Sequence, residues 1–234
     1  MPFYDFWRDK SVTPIGRRWA RQAAEFTLDR AAEHTVPLRT VVEIGPGRGV
    51  LTEAAQRRGL CYTALDANHG LLRELGAERT VHAVAPHLPF RDGVADAVVA
   101  SHVLEHMPGI AEATGLVAEM ARIVRPGGTL VVTTPDLLWY GGYFWDCDYS
   151  HNFPTSARRL QQLFLDQGLE VARLEYVYNH LTGVAGALAG HAARLVPYGP
   201  PDVSPSSPLY LEPVYKARLS FARCVLIIGR RPAL

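Results

Sequence analysis

The stretch Thr40-Val41-Val42-Glu43-Ile44-Gly45-Pro46-Gly47-Arg48-Gly49-Val50-Leu51-Thr52-Glu53 decides the fold. TVVEI (40–44) is apolar and β-branched apart from one acid, and it runs straight into three glycines. A short apolar run that ends on glycines is a buried strand entering a tight turn. From Val50 to Arg58 the pattern turns helical, and Gly59 stops it. Strand, glycine turn and helix in that order open a βαβ unit.

The same alternation continues on both sides of this stretch. Residues 13–33 are predicted helical, with Ile15, Trp19, Ala23 and Phe26 spaced for one buried face. CYTALD (61–66) is a second strand and Asn68 to Leu75 a second helix. TVHAV (80–84) is a weaker third strand, and ADAVVAS (95–101) a fourth that is apolar on both faces. A helix over 110–124 carries Leu116, Val117, Met120, Ile123 and Val124, and Pro126-Gly127-Gly128 stops it. TLVVTT (129–134) is a fifth strand, and Ser156 to Gln167 a further helix stopped by Gly168. EVARLEYV (170–177) and ARCVLIIG (222–229) are the last strands. Strands alternating with helices predict a parallel sheet covered on both faces and doubly wound by right-handed crossovers. No internal repeat interrupts it. YGPPDVSPSSP (198–208) is a loop with too little chain after it to link a second domain, so residues 1–234 are expected to form one domain.

Composition narrows the class. Of 234 residues, 48% are hydrophobic and 20% charged, as in ordinary globular proteins. The net charge is +1 with no basic stripe, which argues against a nucleic-acid partner. Cys61, Cys147 and Cys224 are far apart and form no CxxC pair, so reduced thiols in a cytoplasmic protein are expected. The start, MPFYDFWRDK, has no apolar core after a basic segment and is not a signal peptide. No run of about 18 apolar residues predicts a membrane span.

In a doubly wound sheet, ligands sit at the carboxyl ends of the strands near the reversal of strand order. Glycines there let a backbone approach a ligand and take up positive φ. A dinucleotide fingerprint fits poorly, because Val50 stands where its last glycine belongs, and a P-loop lacks its Lys-Ser/Thr. The remaining spacing, E-x-G-x-G-x-G over Glu43–Gly49, suits a nucleoside that carries an amino acid. A tight turn with no ligand is the plainer alternative. Asp66 ends the second strand beside this loop, where a carboxylate can accept both ribose hydroxyls. Capping the next helix is its alternative role, and Asn68 could cap that helix equally well.

LPFRDGVADAVVASHVLEHM (88–107) and ARIVRPGGTLVVTTP (121–135), taken with VVEIGPGRGVL (41–51), resemble the class I S-adenosylmethionine-dependent methyltransferases. More narrowly they resemble the small-molecule and glycan branch with LPF and LEH motifs. The resemblance covers residues 38–136 and extends loosely through DYSHNFPTSARRLQQLFLDQGLEV (148–171). It implies a Rossmann-like α/β sheet of seven strands, mostly parallel, with the last strand (222–229) antiparallel. It also implies S-adenosyl-L-methionine as cofactor and S-adenosyl-L-homocysteine as product. Position by position, Gly45, Gly47 and Gly49 match the loop around the methionine part, and Glu43 the acid that orders it. Asp66, followed by Ala67, matches the ribose acid. Ser101 and His102 match the end of the fourth strand, near the methyl. The branch often has an acid for the adenine amino group where this chain has Val84, so adenine is expected to rest on backbone around Ala85 and on apolar packing. EIGPGRGVLTE (43–53) also resembles the first motif of ribosomal RNA adenine dimethylases. Their N-L-P-Y-type motif is absent, Ser101-His102-Val103-Leu104 standing there instead, which puts RNA methylation below small-molecule methylation.

A hydroxyl acceptor needs a base, whereas a carboxylate does not. The candidates are His102, His106 and His151. His151 is the favoured base, since Asp146 and Asp148 beside it are expected to raise its pKa; each of the three can instead be a structural histidine. His102 and His106 have metal-ligand spacing on a helix, yet no third ligand is signalled, so no metal is expected. Trp139, Tyr140, Tyr143 and Trp145 crowd the loop after the fifth strand, and Trp7 with Phe3, Tyr4 and Phe6 precedes the first helix. They are candidate substrate-binding rings, although rings also fill cores; the resemblance implies the N-terminal segment (1–35) as a lid and residues 137–234 as the substrate side. HLTGVAGALAGHAARLV (180–196), within an insert at about 178–220, is expected to be a helix packed on the domain; a patch for a lipid-linked acceptor or a dimer partner is the lesser reading. The acceptor is expected to be a small organic molecule, such as a sugar, glycan precursor or natural product, methylated on oxygen by a monomer or homodimer. Cofactor-dependent chemistry without methyl transfer, such as cyclisation, is the second class.

Overall fold

The computed structural model describes residues 13–178, 183–196 and 206–233. Trp7, Phe3, Tyr4 and Phe6 lie outside these residues, as does part of the insert. In chain order the helices are α1 (Pro14–His34), α2 (Val50–Arg57), α3 (His69–Glu74), α4 (Ile110–Ile123), α5 (Leu137–Tyr140), α6 (Tyr143–Asp146), α7 (Ala157–Asp166), α8 (Gly183–Leu195) and α9 (Glu212–Ser220). The strands are β1 (Thr40–Ile44), β2 (Cys61–Asp66), β3 (Thr80–His82), β4 (Ala95–Ser101), β5 (Val124–Pro135), β6 (Glu170–Val177) and β7 (Cys224–Arg230). They form a seven-stranded sheet in the order β3-β2-β1-β4-β5-β7-β6, parallel from β3 to β5, with β7 antiparallel to both neighbours. The expected architecture is the observed one.

Runs such as Val41-Val42 and Ala97-Val98-Val99-Ala100 are apolar on both sides because helices cover both faces of the sheet. One core, with Val98, Leu116, Met120, Leu130 and Phe164, lies under α4 and α7. The other, with Leu28, Ala54, Val99 and Val131, lies under α1 and α2. Burying one large apolar side chain in either layer contributes about 1.5–3 kcal/mol.

Three local expectations are corrected. Ile15 is 61% exposed, and the buried stripe of α1 is Ala24, Thr27, Leu28 and Ala31. Its buried line therefore lies to one side of the one read from the large side chains. Pro126-Gly127-Gly128 follows the end of α4, but β5 already begins at Val124, and its register against β4 jumps from Ala95↔Val124 to Ala97↔Thr129. Gly128 fits this kink because a Cβ there would come within 2.6 Å of the Asp96 carbonyl. Third, β3 ends at His82, two residues short of the predicted run.

The register brings the strand tips into one row. Ile44 is opposite Leu65 on one side and Ala100 on the other, and Ser101 is opposite Thr133. Gly45, Asp66, His102 and Thr134 are therefore neighbours along the carboxyl edge. The chain runs from β1 outward to β3 and then returns to β4 on the other side of β1, so strand order reverses between β1 and β4. That is the crevice where ligands bind in such sheets.

Candidate functional site

On the β1–β2 side the site is made mostly of backbone. Gly45, Gly47 and Gly49 all have positive φ, at 68°, 53° and 75°. At Gly45 a Cβ would lie 2.6 Å from Val103 Cγ2, so only glycine lets the loop pack on the tip of β4. Beneath the loop, Glu43 is buried and accepts a hydrogen bond from the Tyr62 hydroxyl, which accepts one from Thr52 Oγ1 at 3.0 Å. Burial pushes the Glu43 pKa up to about 7; the Tyr62 hydrogen bond opposes this and the charge of Asp66 adds to it.

Asp66 stands at the end of β2, half-buried. Its Oδ1 accepts the backbone N–H of Asn68 at 2.7 Å. Burial raises its pKa against the hydrogen bonds of Asn68 and Ala67. Asn68 caps α3, its Oδ1 accepting from the N–H groups of Gly70 and Leu71. The capping role weighed for Asp66 thus belongs to Asn68. Ala67 is exposed and its carbonyl lies 3.0 Å from His82 Nε2. Val84 is 67% exposed just past β3, and Ala85 packs partly against the core.

On the β4–β5 side the site is made of side chains. Leu104–His106 is a single 3-10 turn, so His102 and His106 are not one turn apart on an α-helix. His102 sits at φ 57°, a left-handed conformation that is uncommon for a residue with a Cβ. Its N–H donates to the Thr133 carbonyl at 2.8 Å, and its Nδ1 lies 3.1 Å from Glu105 Oε1. Glu105 is completely buried, and its other oxygen accepts from Thr134 Oγ1 at 3.2 Å. Desolvation by the surrounding turn disfavours the imidazolium of His102, whose side chain is 44% exposed, but the hydrogen bond and charge of Glu105 outweigh it and raise the pKa above the usual value. Burial likewise opposes the charge of Glu105, and His102 followed by His106 holds its pKa below the usual value. The stability that Glu105 gives His102 is therefore complete below the ordinary histidine pKa and lost as pH rises through the raised one. The stability that His102 gives Glu105 is present above the ordinary carboxylate pKa and lost as pH falls through the lowered one.

The loop after β5 is tied to this turn, because the N–H groups of Asn152 and Phe153 both donate to the Glu105 carbonyl, at 2.8 and 2.9 Å. That brings in His151, which is 7% exposed and has its Nδ1 2.6 Å from the Phe144 carbonyl. Burial lowers its pKa and outweighs the upward pull of Glu105, the Phe144 carbonyl and Asp148, where the sequence predicted a rise. Asp148 accepts instead from Ser150, and Asp146 from the Tyr215 hydroxyl. His106 Nδ1 lies 2.9 Å from Ser150 Oγ, and its ring centroid is 4.9 Å from that of His151. Glu105, the buried acid at the centre of this group, was not singled out by the sequence reading. Its signal was an acid flanked by Leu104 and His106 inside an apolar turn.

The aromatic candidates divide. Trp139 and Tyr140 are 9% exposed and belong to a small third core with Phe144 and Tyr178. Trp139 lies under the guanidinium groups of Arg194 and Arg223, at 5.0 and 5.1 Å from its ring centre. Tyr143 is half-buried and donates to the Tyr215 carbonyl at 3.2 Å, while Trp145 is 50% exposed.

Residues 42–132 match the family model described as a methyltransferase domain. An uncharacterized methyltransferase of Mycobacterium sp. (strain JLS) is 34% identical over 146 residues, covering 60% of this chain and 52% of that protein. A demethylmenaquinone methyltransferase of Renibacterium salmoninarum is 33% identical over 136 residues, covering 56% of this chain and 53% of that protein. The chain thus spans about half the length of these curated relatives. A SAM dependent methyltransferase from Archaeoglobus fulgidus shares the fold, with a TM-score of 0.61 at 19% identity over 90% of this chain and 94% of that one. The matched stretch begins in β1 and ends in β5. It therefore contains the glycine loop, Asp66 and the Leu104–His106 turn. No helix among the described residues is long and apolar enough to cross a membrane.

Proposed function

We propose that the protein transfers a methyl group from S-adenosylmethionine to an oxygen of a small organic acceptor, a sugar, glycan precursor or natural product. The observation that carries this reading is the His102–Glu105 pair, which stands at the tip of β4 in the same row as Gly45 and Asp66. The residues on the β1–β2 side fit the cofactor. The positive-φ loop exposes backbone to an amino acid moiety, and Asp66, freed from capping, offers a carboxylate to a ribose. Gly45, Gly47, Gly49, Ala67 and Ser101 would line that moiety with Glu43 ordering the loop from below, and Ala85 and Val84 would lie at the adenine end. When bound, the cofactor supplies a methyl already activated by a sulfonium.

The chain's own task is then to orient the acceptor, exclude water and hold a proton. His102 Nδ1–H can only donate to Glu105, which makes Nε2 the basic nitrogen. Nε2 takes the acceptor's hydroxyl proton, and Glu105 stabilises the imidazolium that results, as an orienting carboxylate does for a catalytic histidine. This moves the role of base from His151 to His102. A small acceptor is supported by the similarity to demethylmenaquinone methyltransferases and by the net charge of +1, which offers little to a nucleic acid.

The test is release of S-adenosylhomocysteine by the purified chain supplied with S-adenosylmethionine and a panel of hydroxylated sugars, phenols and quinols. Acceptor-dependent release is expected. If no acceptor releases it while calorimetry detects the cofactor bound, methyl transfer is refuted, and cyclisation or simple binding takes its place.

A further inference from the structure

Three side chains converge beside His102: Glu105, which orients it, and His106 and His151, which have no role in the chemistry above. One ring nitrogen of His106, one of His151 and a carboxylate oxygen of Glu105 all lie within 4.8 Å of one another. They come from two segments, the turn after β4 and the loop after β5, that the Glu105 carbonyl ties together.

The hydrogen bonds fix the tautomers. Ser150 Oγ donates to Asp148 Oδ1 at 2.6 Å, so at His106 it accepts, and His106 Nδ1 carries the proton. The Phe144 carbonyl has no proton to give, so His151 Nδ1 carries one as well. With Nδ1 protonated, Nε2 is the nitrogen of each ring that carries a lone pair. The Glu105 carboxylate accepts from His102, Thr134 and its own backbone N–H, out of roughly four lone-pair sites. The cluster thus brings together two imidazoles and a carboxylate.

We infer that Glu105, His106 and His151 bind a divalent transition-metal ion of the zinc class. Two imidazoles and one carboxylate form a recurring zinc donor set that leaves a coordination position open. The nitrogen ligands argue against Mg2+ and Ca2+, which take oxygen. The tethers on Nδ1, to Ser150–Asp148 and to the Phe144 carbonyl, are the outer-shell contacts that orient metal-binding histidines. Bonds of about 2.0–2.2 Å require the three atoms to draw together by roughly an ångström, which rotation of the half-buried His106 ring can supply. The sequence expectation of no metal rested on the lack of a third ligand for His102 and His106. In the structure His102 is turned to Glu105 instead, and His151 joins the set from 45 residues beyond His106. The metal site itself does not depend on the methyl-transfer reading.

The test is titration of the chelator-treated chain with Co2+, followed by its visible absorption, and competition with Zn2+. One equivalent should give the bands of a four- or five-coordinate ion, and Zn2+ should remove them. His106→Ala and His151→Ala should each weaken binding at least about 100-fold. Ser150→Ala, which keeps all three ligands and the buried core, should weaken it about tenfold through the lost tether. His102→Ala should retain the bands. Absence of bands at millimolar Co2+, or Co2+ binding equally strong in wild type, His106→Ala and Ser150→Ala, would overturn the inference.

Discussion

The tips of β1 and β2 and the tips of β4 and β5 are two halves of one edge, built in opposite ways. The first is mostly backbone, three positive-φ glycines with Asp66 beside them and Glu43 buried beneath. The second is a network of side chains around one buried carboxylate, Glu105. A surface of backbone has no proton to move and is suited to holding a ligand. A buried carboxylate with histidines around it can shift charge and is suited to chemistry. The division predicts that mutations in the first half change affinity and those in the second change turnover.

The sharpest expected effect is that of His102→Ala. Loss of a general base should lower kcat by about 10²–10⁴, with cofactor affinity nearly unchanged in calorimetry. An unchanged rate would return His102 to a structural role. In the wild type, kcat/KM should rise with pH and level off above the ordinary histidine pKa of 6.5, because Glu105 raises the pKa of His102. Glu105→Gln should move that limb to lower pH, and a limb that stays in place would separate the two residues.

The next effect concerns Glu43. Its folded pKa of about 7 exceeds the ordinary 4.5, so stability is fully present below 4.5 and declines as pH rises toward 7. The decline should be on the order of 3 kcal/mol, since a tenfold change in proton affinity is worth about 1.4 kcal/mol. Glu43→Gln should flatten that slope in urea unfolding at several pH values. A slope equal to wild type would contradict the burial account.

Asp66→Ala should weaken S-adenosylhomocysteine binding by about 1.5–3 kcal/mol, the worth of a charged hydrogen-bond acceptor, with little loss of thermal stability. If turnover at saturating cofactor fell as well, the division between the halves would blur. The smallest effect is that of Gly45→Ala, about 1–3 kcal/mol of stability from the left-handed backbone and the 2.6 Å approach to Val103. Val103→Ala in the same chain should recover the steric part and leave the backbone part.

The same contrast explains what the sequence could disclose. Glycines and the acid ending β2 answer local backbone demands, so Gly45, Gly47, Gly49 and Asp66 are visible in a window of about 25 residues. Strands β1, β2, β4 and β6 likewise begin and end where their apolar runs do. The face of α1 was misplaced because Trp19 and Phe26 are large and half-buried, while the small Ala24 and Ala31 make the close contact. The Glu105 network was hidden for another reason. His106 meets Ser150 across 44 residues, and nothing local to either marks the pairing. Asp146 and Asp148 are near His151 in sequence, but their hydrogen bonds go elsewhere. Proximity along the chain therefore showed Asp148 but not Glu105 or the burial that lowers the His151 pKa.

The central claim is that the glycine edge of β1 and Asp66 together hold an S-adenosyl nucleoside. Isothermal calorimetry of the purified chain with S-adenosylhomocysteine tests it most directly. The account predicts one site per chain, weakened about 10- to 100-fold in Asp66→Ala. No heat at millimolar nucleoside, or the same heat from wild type and Asp66→Ala, would contradict it.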